Sequence, residues 1–290
     1  MGSSEGVPTV DVVLIHWKQP EACVHSLKRF GSEPAVRSIT VVDNGSSQDA
    51  VRQIQAALNE SSKPGKLIEL DSNTGFGPAT NRGWERWLED PTGAEWCVAA
   101  PHDALPDHGT LTTMLAIAAE RPRLGLLGAD VGDGLLPRID RNFGPIFVPA
   151  GSDGGFEACD YPHGTLFMAR RSCLEDIGLY DERFFTYCEE ADLGLRATAA
   201  GWEVGLARGA RVYNPRVSTP KPVAEYLMER NTLLLIGKHF GRFHLAVRAV
   251  LAIGQLIDGT TRPSRRGEYW SARARLRALR DAARGRWGAP

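Results

Sequence analysis

The sequence predicts an α/β fold: a Rossmann-like, mostly parallel central sheet flanked by helices, followed by a C-terminal helical extension. Three observations carry this. Strand-length apolar runs alternate with helix-length amphipathic runs from Val10 to Ala100, an order that builds parallel sheets with right-handed crossovers. Polar residues (His16, Asp43, Asn44, Asn73 and Asp103) collect at the C-terminal ends of the apolar runs, where open α/β sheets bind ligands. From Val223 onward the strand-like pattern stops and the chain reads as helical.

Each element follows from local chemistry. Val10 to Trp17 is a buried-strand run, and Pro20 to Phe30 a helix with proline near its start. Ser38 to Val42 is a second strand, closed by the turn and N-cap cluster Asp43-Asn44-Gly45-Ser46-Ser47, and Ala50 to Leu58 a second helix. Lys66 to Leu70 leads into the loop 71–77 and a third helix carrying Asn81, Trp84 and Trp87, while Glu95 to Ala100 ends at Pro101-His102-Asp103. The Gly- and Pro-rich stretch from Leu124 to Ala158 reads as strands joined by loops, a flap. Tyr161 to Arg170 reads as a strand entering the site, with Gly164 allowing close backbone approach. A helix is predicted to start at Glu189, where Glu189, Glu190 and Asp192 suit the positive end of the macrodipole and Asp192 can pair with Arg196 at i,i+4. Val204 to Tyr213 is a late strand, and His244 to Ile257 is apolar with scattered polar positions.

Composition bounds the function. The chain has 290 residues, 42% apolar and 24% charged, and a net charge of −1, which argues against a general nucleic-acid binder. That balance hides an asymmetry: nine arginines against two acids between Arg262 and Arg286, a net of +7. Five widely spaced cysteines with no CxxC suit a reducing compartment rather than a disulfide framework or zinc knuckle. The start Met-Gly-Ser-Ser-Glu-Gly lacks the basic and apolar regions of a leader, and no uninterrupted apolar run approaches the ~18–20 residues of a membrane span. A cytoplasmic protein, peripheral at the inner face of the membrane at most, is expected.

Three common chemistries fail on the motifs. The first strand ends in His16-Trp17-Lys18 without glycine, and Gly75-Phe76-Gly77-Pro78-Ala79-Thr80 is GxGxxT after the third strand, so dinucleotide binding is unsupported. No GxxxxGK[ST] and no GxSxG occurs. What remains is an ordered set: VVDNGSSQD, SNTGFGPATNRG, HDALPDHGTL and GLYDERFFTYCEEADLGLRA. In order and spacing this set resembles family 2 glycosyltransferases of the GT-A fold, in particular their bacterial rhamnosyltransferase-like branch, from about Val10 to Asn231.

The resemblance implies a GT-A domain over residues 8–221, with a nucleotide-sugar half at about 8–105 and an acceptor half at about 106–221, and a basic helical extension over 222–290. It implies an inverting transfer from a dTDP- or UDP-linked sugar to a hydroxyl of a glycan, lipid-linked glycan or small natural product, with no nucleic-acid partner. His16, Trp17, Asp43, Asn44, Asn73, Gly75, Asn81, His102 and Asp103 would line the donor. Asp43 would accept the imide N–H of uracil or thymine, against the plainer reading of an Asx-turn closing a strand. Asp103 matches the last acid of the metal-binding DxD motif, for Mg²⁺ or Mn²⁺. Pro101 and His102 replace its other acids, and Asn214 stands where the family often has a metal-binding histidine. The resemblance therefore leaves two options open: His102, Asp103 and Asn214 around a metal, or cationic charge from Arg82 or Arg211. Lys18 also replaces a frequent asparagine. Glu190 matches the general base, with Glu189 and Asp192 positioning the acceptor or tying down the helix, and His163 and Gly164 on the acceptor side. Two rival readings are a sugar nucleotidyltransferase and a non-catalytic sugar-nucleotide binder. The apolar segment and basic tail read either as a surface docking on an anionic membrane or as helices packed on the domain or on a second subunit.

Overall fold

A computed structural model describes residues 8–214 and 219–290. The leader reading at the first six residues lies outside them.

The elements run β1 (Val10–His16), α1 (Pro20–Gly31), β2 (Val36–Asn44), α2 (Gln48–Glu60), β3 (Gly65–Leu70), α3 (Phe76–Leu88), β4 (Trp96–Pro101), β5 (Leu105–Pro106), α4 (Thr110–Ala119), β6 (Leu124–Asp130), β7 (Leu135–Asp140), β8 (Gly144–Pro149), β9 (Gly155–Ala158), β10 (Phe167–Arg170), α5 (Arg171–Ile177), α6 (Glu189–Ala199), β11 (Glu203–Tyr213), α7 (Lys221–Thr261) and α8 (Ala272–Ala283).

The main sheet has the order β3-β2-β1-β4-β10-β6-β11-β5, with β9 also on β11. Strands β3, β2, β1 and β4 are mutually parallel, as are β6 and β11. Strand β10 lies antiparallel between β4 and β6, joining the two parallel blocks. The sheet is buried on both faces, so β1 is buried along its whole length and carries the apolar run Val12–Ile15 rather than an alternating pattern. Its residues serve two cores in turn: Val10, Val12 and Leu14 pack with α1, α2 and α4, while Val13 and Ile15 pack with Trp84 and Trp87 of α3 and Leu193 of α6.

One expectation changes here. The strand expected over 161–170 is regular only from Phe167, after a turn at Gly164 that lies against Glu190. The segment read as strands joined by loops does form strands, and its β7–β8 hairpin leans on the C-terminal helices through Gly144 against Thr232 and Asn142 against His244.

The extension is not a straight rod. Gly241 has φ 82° and ψ −177°, which breaks α7 into limbs at 221–240 and 242–261. Arg248 Nη2 reaches Glu229 Oε1 at 2.6 Å. In one continuous helix those residues would stand about 28 Å apart, so the limbs fold back as an antiparallel hairpin. Arg275 of α8 bonds Glu225 and Glu229 on one limb and Gln255 on the other. The first limb shares a core with the main domain: Leu234 and Leu235 pack with Tyr161, Phe184, Cys188 and Ala191.

Candidate functional site

At the carboxyl end of the sheet, β1 and β2 place His16 beside Asp43 in register. His16 Nε2 accepts the Gln19 backbone N–H at 3.1 Å, so the neutral ring carries its proton on Nδ1 and donates it to Asp43 Oδ1 at 2.6 Å. Asp43 Oδ2 accepts the Ser46 N–H at 2.9 Å. Burial pushes the Asp43 carboxyl up, but the His16 and Ser46 hydrogen bonds outweigh it and hold the group below the usual carboxylate range. Asp43 is thus an oriented anion, and its bond from the Ser46 N–H is the turn-closing contact of the plainer reading. Beside it, Lys18 takes φ 57°, donates its N–H to Ser46 Oγ at 2.9 Å and lays its ammonium over the Trp17 ring.

Asn44 works one layer behind. Its Nδ2 donates to Asn73 Oδ1 at 3.1 Å and to Gly75 O at 3.0 Å, and its Oδ1 accepts from the Thr74 N–H at 2.8 Å. Asn73 Oδ1 also accepts the Gly75 N–H at 2.9 Å. Both amides therefore shape the 73–75 loop. Asn81, expected along the nucleotide, spends its amide elsewhere: Nδ2 donates to Tyr180 O at 3.0 Å and Glu182 Oε1 at 3.2 Å, and Oδ1 accepts the Tyr180 N–H at 3.0 Å. It is buried and ties α3 to the segment leading into α6. Gly75 has φ 100°, and a Cβ there would meet Phe185 O at 2.2 Å, so its glycine serves that packing.

Beyond β4, His102 donates Nδ1–H to Ile15 O at 3.2 Å and keeps Nε2 as a buried acceptor without a partner. Burial and the neighbouring His16 lower its pKa to about 4, so it is neutral at pH 7. Asp103 Oδ1 accepts Asn214 Nδ2 at 3.2 Å, and its buried Oδ2 has no partner. Burial raises the Asp103 pKa, which an incoming cation would reverse. Among the described residues no three His, Cys, Asp or Glu side chains form a metal cluster. One carboxylate, an amide beside it and a ligand's phosphates still make an acceptable set for Mg²⁺, which dehydrates reluctantly and needs few protein ligands. The two cations that could replace a metal are both engaged: Arg82 with Glu85 and Glu182, and Arg211 with Asp130.

The acidic cluster opens α6. Glu190 is half-buried, and its carboxylate lies on the Cα of Gly164, where any Cβ would stand 1.8 Å from Oε1. Burial raises Glu190 from 4.5 to about 7. Glu189 is 1% exposed, neither carboxylate oxygen has a partner, and burial together with the neighbouring Glu190 raises its pKa well above the usual carboxylate range. His163 is held beside this site, its Nδ1 accepting from Thr165 Oγ1 at 3.0 Å, and burial lowers its pKa. Asp192, expected on the acceptor side, is fully buried and faces the other way. Its oxygens take Arg196 Nε at 2.9 Å, Lys238 Nζ at 2.6 Å and His239 Nε2 at 2.7 Å. It ties α6 to α7; the predicted Asp192–Arg196 pair is part of that tie.

The most strained backbone lies directly before Glu189. Phe185, Tyr187 and Cys188 have φ of 65°, 70° and 72° without being glycine, an arrangement that persists only where surroundings enforce it. The enforcing group is one that sequence reasoning missed. Asn231 of α7 donates Nδ2 to Phe184 O at 2.7 Å, Thr186 O at 2.8 Å and Tyr187 O at 2.8 Å. Arg230, also buried, holds Asn231 Oδ1 at 3.1 Å and Gly288 O at 2.7 Å. The sequence signal was an Arg-Asn pair inside an apolar helical run, which by itself does not say what it faces.

Residues 14–178 match the sequence model of "Glycosyl transferase family 2". The chain is 27% identical over 283 residues to the N-acetylglucosaminyl-diphospho-decaprenol L-rhamnosyltransferase of Mycobacterium tuberculosis, covering 84% of this chain and 89% of the relative. Among solved structures, the mannosyltransferase PcManGT of Pyrobaculum calidifontis, in complex with GDP-Man and Mn²⁺, superposes with a TM-score of 0.64 at 13% identity, over 97% of this chain and 88% of that one. GalNAc-T7 with UDP, GalNAc and Mn²⁺ gives a TM-score of 0.65 at 13% identity, over 96% of this chain and 55% of that one.

Proposed function

This chain belongs to glycosyl transferase family 2 and is a rhamnosyltransferase-like glycosyltransferase, and from that premise we propose that it inverts the anomeric centre of a dTDP- or UDP-linked sugar while transferring it to an acceptor hydroxyl. The observation that carries the proposal is Glu190, a half-open carboxylate at α6 with its pKa raised to about 7. A base near the working pH maximises both its ionised fraction and its pull on a hydroxyl proton. Glu190 takes the acceptor proton as the hydroxyl oxygen attacks the anomeric carbon, and the nucleoside diphosphate departs from the opposite face. Glu189, buried beside it with its pKa raised by that burial, resists carrying a second negative charge next to Glu190. Asp43, oriented by His16, accepts a base imide N–H, and Trp17 and the 73–75 loop flank the nucleotide.

Asp103, with Asn214 beside it and His102 Nε2 nearby in sequence, would hold a divalent ion, Mg²⁺ or Mn²⁺. Bound there, that ion would supply charge to the leaving diphosphate. The relatives' ions and donors support a divalent metal and a nucleotide sugar in general. The mycobacterial relative's name supports a lipid-linked acceptor. Five buried, unpaired cysteines support a reducing compartment.

The test is a panel of UDP-, dTDP- and GDP-sugars, scored for thermal stabilisation and for transfer, with Mn²⁺ and with EDTA. Stabilisation and transfer confined to imide-bearing donors is expected. Preference for the GDP-sugar would overturn the role of Asp43. Transfer that survives EDTA would favour a metal-independent enzyme, and binding without transfer a non-catalytic one.

A further inference from the structure

The second limb of α7 is built inside out. Its inward face, facing the first limb and α8, carries Leu245, Arg248, Ala252, Gln255 and Gly259. Arg248 is buried there and bonds Glu229. At about 100° per residue the opposite face carries Phe243, Val250, Ile253 and Ile257. Those side chains are 74%, 68%, 49% and 58% exposed. A surface helix of a globular protein turns its apolar stripe to the core and its charges to water; this limb buries Arg248 and leaves these four large apolar side chains exposed. Such a row of large apolar side chains along one helix marks an interaction surface.

Charge selects the occupant. The exposed Arg242 stands at one end of the stripe, and exposed Arg262, Arg265 and Arg266 follow the other end. Asp258 is the only acid in the limb, and it pairs with Arg262 at 2.9 Å and Arg265 at 3.4 Å. The segment from Arg262 to Arg286 carries a net +7. A second copy docking on this stripe would bring two such cationic segments together. An anionic bilayer accepts the apolar row at its headgroup boundary and neutralises the arginines. The hairpin at Gly241 leaves limbs that lie on a surface; the longer apolar helix that the chain's hydropathy suggests is folded in two.

We propose that the outward face of residues 242–261, framed by Arg242 and the Arg262–Arg266 cluster, docks this enzyme on the surface of a bilayer containing anionic phospholipid. The first limb of the same helix holds the backbone before Glu190, so the docked limb is joined directly to the element that positions that residue. The proposal is independent of which donor the site takes.

The experiment is co-sedimentation of the full chain with phosphatidylcholine vesicles, alone or with about a quarter phosphatidylglycerol. Binding is expected only to the anionic vesicles, falling steeply with salt. The pair Val250→Glu and Ile257→Glu should weaken it at least about tenfold, and Arg262→Glu with Arg265→Glu should do the same. Both variants should keep the thermal stabilisation by donor of the unaltered chain. Equal binding to both vesicle types, or binding that either pair leaves intact, overturns the proposal. So does a dimer in light scattering that Val250→Glu dissociates, which would assign the stripe to a second copy.

Discussion

At the residue scale, burial dominates both acids at the start of α6: it raises Glu190, and together with Glu190 it raises Glu189. Glu190→Gln keeps the shape and removes the base, so transfer should fall by roughly 10²–10⁴-fold while donor-induced thermal stabilisation persists; loss of donor affinity would remove Glu190 from the catalytic role. The transfer rate of the unaltered enzyme should rise with pH through about 7 as Glu190 ionises. The stability consequence has the opposite sense. A carboxyl raised in the folded state favours folding in its protonated form; that contribution is present below the ordinary value of 4.5 and is lost as pH rises through about 7. Glu190→Gln should therefore raise the thermal midpoint more at about pH 8 than at about pH 5. A midpoint difference that is flat with pH would contradict the raised pKa. Gly164 gives a separate handle. Gly164→Ala pushes a methyl into the Glu190 carboxylate, the mobile end of a side chain, so the fold should survive while transfer drops on the order of 10²-fold from misplacement of the base.

At the scale of elements, the decisive contact runs between α7 and the turn before α6. Three positive-φ residues before Glu189 are costly, on the order of 1–3 kcal/mol each, and Asn231 opposes that cost with two amide hydrogens shared among three carbonyls. Asn231→Ala leaves those carbonyls short of donors, a loss of about 1–3 kcal/mol. The expected kinetic signature is a fall in kcat, because Glu190 is displaced, with little change in donor KM, because Asp43 and the 73–75 loop are held by Asn44 and His16. A fall in stability with kcat unchanged would reduce Asn231 to a purely structural role. The α3 helix makes the complementary tie, with Asn81 fixing Tyr180 and Gly77 N–H reaching Phe185 O at 3.2 Å. The acidic helix is thus gripped from both sides.

At the scale of the molecule, the C-terminal extension is part of the fold that positions Glu190, the proposed base. Leu234 and Leu235 complete the small core around Phe184 and Cys188, and Asp192 pairs with Lys238 and is hydrogen-bonded to His239 of α7. A chain ending before Lys221 would leave Asp192 buried with Arg196 as its remaining side-chain partner and that core open. Such a truncation should fail to give a soluble, cooperatively unfolding protein, as read by near-ultraviolet circular dichroism and thermal melts. A soluble, donor-binding truncation would show instead that the sheet and α6 fold without the extension.

The sequence by itself determined the strand and helix alternation, the carboxyl-end positions of His16, Asp43 and Asp103, the acidic start of α6 and the family, because these depend on short-range periodicity, turn chemistry and motif spacing. It also held the basic tail in plain view. Only the tertiary structure decided which polar groups face the cleft. Asn81 and Asp192 carry the right chemistry for a ligand, yet long-range partners at Tyr180 and α7 consume it. Arg82 and Arg211 look like available cations until Glu182 and Asp130 come beside them. Asn231 has no local signature, since its role exists only once the helix carrying it lies across a turn more than forty residues earlier. The same reason hid the reversal at Gly241: a glycine inside an apolar helical run reads as a tolerated position, and only packing of the two limbs shows that Arg248 went inward and the apolar row outward. Periodicity reports that a helix has two faces; the partner it meets decides which of them is inside.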